Sequence, residues 1–206
     1  MNQIPNYKQY LSKNSKISQK VFLLLGEEES LKQDFINEIS VRHFGKIPEY
    51  RHFHHDNPDD FSAFITYAGT SSMFSNAKTA VFSGLEKSIQ SSLNNSNLND
   101  LIENLCDDTM LFFRTSSNSV PAVLKKIPAE TVIFWRAFEN ELSEQIRKSF
   151  SEKKIQISPA DISLILEHTG RDSGKIAAAL EKLESYSESQ PVNSEMIKFI
   201  LTNEKE

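Results

Sequence analysis

The chain has 206 residues, 38% of them hydrophobic, enough for one core of ordinary size and a smaller satellite but not for two large domains. Its net charge of -5 disfavours a chain that grips nucleic acid alone, because neutralising phosphates takes a clustered excess of Lys and Arg. The one cysteine, Cys106, excludes an internal disulfide and a thiolate metal cage, which leaves it to be read as a buried filler.

The start, MNQIPNYKQYLSKNSK, lacks the apolar stretch of a secretory signal, and no apolar run reaches the roughly 18 residues of a membrane span. The expectation is a cytoplasmic protein without a membrane partner. After a polar, helical lead-in, KVFLLLG at 20–26 is a continuous apolar run ended by glycine, the pattern of a strand buried on both faces. The following EEESLKQDFINEISVRHF spaces Leu31, Phe35, Ile36 and Ile39 as a helix does, with acidic residues in the first turn where the helix dipole favours them. Next come EYRHFHH as a strand, NPDDFSAFITYAG as a helix, KTAVFSG as a strand and a helical stretch with an Asn/Ser-rich middle. TMLFFRTS is a strand with Phe112 and Phe113 in the core, SVPAVLKKI a short helix and TVIFWR a fifth strand.

Five strands alternating with helices imply an α/β unit with a mostly parallel sheet and helices on both faces. From Glu139 the period changes to four amphipathic helical segments, punctuated by Ser158-Pro159, Gly170 and Asn193-Ser194. The predicted organisation is therefore an α/β domain over 1–138 and a small all-helical domain over 139–206.

A parallel sheet with glycine after its first strand raises the question of nucleotide binding. A phosphate-cradling loop would read GxxxxGK[ST]; this chain has GEEESLKQ, with no second glycine and no Lys-Ser or Lys-Thr pair. Glu27, Glu28 and Glu29 at the positive end of the helix would repel a polyphosphate, and Lys32 does not offset them. In RHFHHD, strand alternation puts His52 and His54 on one face and His55 on the other, so with Asp56 they read as a polar edge strand and not a metal site. Cys106 lies beside Asp107 and Asp108, which disfavour its thiolate, and no GxSxG elbow occurs. Lys125 and Lys126 read as a solvated helix face. No catalytic, cofactor or metal site is expected.

Four stretches, VFLLLGEEESLKQDFINEI, SSMFSNAKTAVF, TMLFFRTSSN and HTGRDSGKIAAALEKLESYS, together resemble the delta subunit of the bacterial DNA polymerase III clamp loader, over roughly residues 20–203. The resemblance implies an AAA+-like fold with a helical lid, no ATPase activity and no intrinsic catalysis, in a subunit of the holoenzyme that carries out DNA-directed DNA polymerisation. It implies that an apolar pair before the third strand enters a pocket of the sliding clamp; the matching residues are Met73 and Phe74. Leucine is the more familiar partner of that phenylalanine, and methionine fills irregular pockets well. The implied partners are the sliding clamp and other clamp-loader subunits, with DNA only indirect. Delta subunits continue into a helical collar domain, so the sequence is expected to be either a shortened homologue or, the favoured reading, the N-terminal part of a longer protein. Two other classes stand beside this reading: a nucleotide-dependent AAA+-like switch and a DNA-binding accessory module.

Overall fold

The computed structural model describes residues 5–13, 16–71, 77–87, 95–187 and 192–202. The chain divides into two compact units, Met1–Trp135 and Arg136–Glu206.

The first unit holds β1 (Val21–Gly26), β2 (Glu49–His54), β3 (Lys78–Ser83), β4 (Thr109–Arg114) and β5 (Glu130–Phe134) in one all-parallel sheet of order β2-β3-β4-β1-β5. Among the described residues its helices include α1 (Tyr7–Lys13), α2 (Glu29–Phe44), α3 (Asp60–Gly69) and α4 (Asn95–Glu103); the short helix expected in SVPAVLKKI is a single 3₁₀ turn, Ala122–Leu124.

Strand alternation sorts the core into two layers. Val21, Leu23 and Leu25 of β1, with Leu111 and Phe113 of β4, face Phe64 and Ala68 of α3 and Leu98 and Leu101 of α4. Phe22 and Leu24, with Met110 and Phe112, face Tyr10 of α1 and Phe35, Ile36 and Ile39 of α2. Every residue of β1 and β4 is buried, whereas in β2 only Phe53 is, as its edge position requires. The opposite edge, β5, is partly covered by the lead-in through a parallel bridge from Asn6 to Ile133. Cys106 is not the buried filler expected: it sits in the turn between α4 and β4 and is half-buried.

The second unit packs α5 (Glu139–Glu152), α6 (Pro159–Thr169), α7 (Ser173–Ser187) and α8 (Ser194–Thr202) around Leu142, Ile146, Phe150, Ile165, Leu183 and Ile197. The punctuation read in the sequence acts as caps. Ser158 Oγ accepts the Asp161 N–H at 3.2 Å with Pro159 in the first turn of α6, Gly170 ends that helix in the left-handed region, and Asn193 Oδ1 accepts the Met196 N–H at 2.9 Å. Among the described residues no helix is long and apolar enough to cross a membrane.

Candidate functional site

In a parallel sheet of this order, ligands sit outside the carboxyl ends of the strands, and the turn from β1 into α2 is where a phosphate group would lie. Gly26 leaves β1 with φ +105°, its N–H donating to the Ser117 carbonyl at 2.9 Å; a Cβ there would overlap the Phe134 carbonyl oxygen of β5. Glu28 precedes the helix and is 2% exposed, and its Oε2 is buried with no hydrogen-bond partner among the described residues.

Behind that turn lies a network of charged side chains. Lys32, fully buried, donates from Nζ to Glu29 Oε1 at 2.7 Å and to the Thr115 carbonyl at 2.9 Å. Arg114, at the end of β4, pairs with Glu29 Oε2 and donates to the Glu29 carbonyl at 3.1 Å and to Gln33 Oε1 at 3.2 Å. The parallel register sets Arg114 beside Leu24 of β1, which brings it within reach of the start of α2. Burial raises the Glu29 carboxyl, but Lys32 and Arg114 outweigh it and hold the group below its ordinary value. The cost of the pair falls on Lys32: burial lowers its pKa, and Glu29 restores only part of the loss. The Lys32 ammonium is thus committed to a carboxylate of its own helix and to a main-chain carbonyl. Lys32 and Glu29 are near neighbours in the sequence, but their junction with Arg114, 85 residues from Glu29, depends on strand register and has no local signal.

Met73 and Phe74 lie outside the described residues. Lys78, at the start of β3 and 5% exposed, donates from Nζ to the Tyr67 carbonyl at 3.0 Å and also to the Thr70 carbonyl, tying the strand to the end of α3 across the segment between them. The Lys78 N–H donates to the Asp108 carbonyl at 2.7 Å. Beside this anchor is a cavity of about 680 Å³, lined among others by Glu49, Arg51, Tyr67, Thr70, Ser71 and Lys78. Arg51 lies over the Tyr67 ring, 4.6 Å from its centroid.

The histidine stretch differs from the alternation argument. His52 and His54 do share a face, with ring centroids 6.4 Å apart, and His52 Nε2 meets Ser83 Oγ at 2.8 Å. Burial, then Arg114 and His54, push the His52 pKa down. However, β2 ends at His54, so His55 and Asp56 belong to the turn and no longer alternate. The side chains of His54, His55 and Asp56 converge, with donor atoms all within 4.8 Å of one another. Lys125 and Lys126 are exposed, as a solvated surface requires.

A scan of the sequence against protein-family models finds no match, and neither does a comparison with curated proteins. Solved structures do match. A Bacillus subtilis DNA clamp loader delta protein superposes with a TM-score of 0.51 at 13% identity, covering 95% of this chain and 61% of that one. The Thermotoga maritima RuvB Holliday junction branch migration motor gives 0.53 at 13%, covering 89% and 61%, and AMPPCP-bound DnaA from Aquifex aeolicus gives 0.50 at 9%, covering 86% and 59%. The chain spans about three fifths of the length of each of these structures. At these identities the likeness is one of fold, and the fold is α/β and AAA+-like.

Proposed function

We propose that this chain is a non-catalytic, clamp-loader delta-like module that binds a sliding clamp through Met73 and Phe74 and opens its ring during DNA replication. The observation that carries the reading is the first-loop network. In an AAA+-like fold, Lys32 of α2 is buried against Glu29 and Thr115, and Glu29 is held by Arg114. That arrangement supplies carboxylates where a nucleotide needs donors, and so favours a binding role over ATP hydrolysis. Likeness to the Bacillus subtilis delta protein over 95% of this chain supports the choice of partner.

In this reading the protein is cytoplasmic, needs no cofactor, and meets DNA only through the assembly. It joins other clamp-loader subunits in that assembly. Fully burying Met73 and Phe74 in a clamp pocket contributes about 1.5 to 3 kcal/mol for each side chain, enough to make the pair a hot spot of a modest interface.

The test is surface plasmon resonance with a sliding clamp, comparing the parent chain with the Met73→Ala, Phe74→Ala double variant. The reading expects a loss of affinity of about a hundredfold or more, corresponding to some 3 kcal/mol, with an unchanged circular dichroism spectrum. Equal affinities for parent and variant would overturn it.

A further inference from the structure

The turn after β2 holds a feature that clamp binding does not use. We infer that His54, His55 and Asp56 form a binding site for a zinc-class divalent transition ion. His54 Nδ1 lies 3.0 Å from Asp56 Oδ2, and His55 Nε2 lies 2.7 Å from Asp56 Oδ1. A tetrahedral zinc ion with ligand bonds near 2.0 to 2.2 Å places its donors about 3.3 Å apart, so the two His–Asp pairs have to open by about half an ångström or less, and the two ring nitrogens, within 4.8 Å of one another, have to settle at the same spacing. Two imidazoles, one carboxylate and a water complete the coordination number such ions take at open sites.

Three observations show that the donors are held in place. The His55 ring backs onto Gly84, at the exit of β3, so closely that a Cβ on that glycine would overlap Nδ1. Nδ1 is buried there and has no hydrogen-bond partner among the described residues, which leaves Nε2 as the nitrogen facing the turn. The turn itself is fixed by Asp60, whose Oδ2 accepts the His54 N–H at 2.7 Å and whose Oδ1 accepts from Asn57 Nδ2 at 2.6 Å. Finally, His54 Nδ1 lies 3.3 Å from the Asp56 main-chain nitrogen and 3.0 Å from Asp56 Oδ2, so the ring and the carboxylate already face each other across the turn.

The site lies at the carboxyl end of a parallel strand and joins β2 to the start of α3, the helix that runs to the Met73 and Phe74 segment. A bound ion would fasten that junction. The inference is independent of the clamp reading, since its ligands are local to one turn.

The experiment is calorimetric titration of zinc ion into the full 206-residue chain and into three variants, His54→Ala, Asp56→Asn and His52→Ala. His54 and Asp56 are exposed, so their replacement leaves the core untouched. The site predicts one zinc ion per chain, a loss of about tenfold or more in affinity in each of the first two variants, and parent-like binding in His52→Ala. Zinc should also raise the melting temperature of the parent and not that of His54→Ala, because an ion that binds only the folded state stabilises it by mass action. No binding at up to about 100 µM zinc, or binding that His54→Ala and Asp56→Asn leave unchanged, overturns the inference.

Discussion

Replacing Glu29 with Gln keeps the shape of the side chain and removes the charge that Lys32 and Arg114 share. Arg114 retains the Glu29 carbonyl and Gln33 Oε1, but the Lys32 ammonium is left buried with the Thr115 carbonyl and a weaker amide acceptor. Breaking a fully buried ion pair from one side costs about 3 to 5 kcal/mol. The Glu29 side chain is 51% exposed, so solvent screens part of the interaction, and the discounted cost is about 2 kcal/mol. In thermal unfolding followed by circular dichroism at pH 7, that is a fall of about 4 to 8 °C for a chain of this size.

The pH dependence adds a second constraint. The Glu29 pKa is lower in the folded chain than in the unfolded one, so its contribution is fully present above the unfolded value of about 4.3 and is lost as pH falls through the folded value. The gap between parent and Glu29→Gln should therefore close in acid. Lys32, whose folded pKa is depressed, has the opposite relation: its burial costs stability while it is charged, and the cost eases only as pH rises from the folded value towards about 10.4. A Glu29→Gln variant as stable as the parent at pH 7, or a gap that persists unchanged in acid, would refute the account of the network.

The remaining predictions concern the same turn. Gly26→Ala places a Cβ against the Phe134 carbonyl of β5 at a positive φ, and relief requires moving a strand; urea unfolding should register a loss of about 3 kcal/mol. Titration with magnesium ATP should give no binding heat and no rise in melting temperature at up to about 1 mM; micromolar binding would instead support the nucleotide-dependent switch.

How far the sequence could be read depended on how local each feature is. KVFLLLG was legible as a central strand because all six residues of β1 are buried, and β2 as an edge because only Phe53 is. Ser158, Pro159 and Gly170 act within one turn of the helix they punctuate. The Glu29–Lys32–Arg114 network was not legible, since it rests on the pairing of Leu24 with Arg114 across β1 and β4. The convergence of His54, His55 and Asp56 was missed for another reason: alternation was carried one residue past the end of β2, into a turn where it no longer holds. Met73 and Phe74 rest on resemblance alone, and the described residues define only the anchors on either side of them.

Ring opening requires that the chain bind an opened clamp better than a closed one, because a ligand shifts an equilibrium only by its differential affinity for the two states. The most direct measurement is the affinity of the 206-residue chain for an intact sliding clamp and for a clamp whose ring interface has been weakened by mutation. The account predicts binding about tenfold or more tighter to the weakened ring, weakened about a hundredfold or more for both by Met73→Ala, Phe74→Ala. Equal affinity for the two rings, or binding that survives loss of the apolar pair, would contradict it.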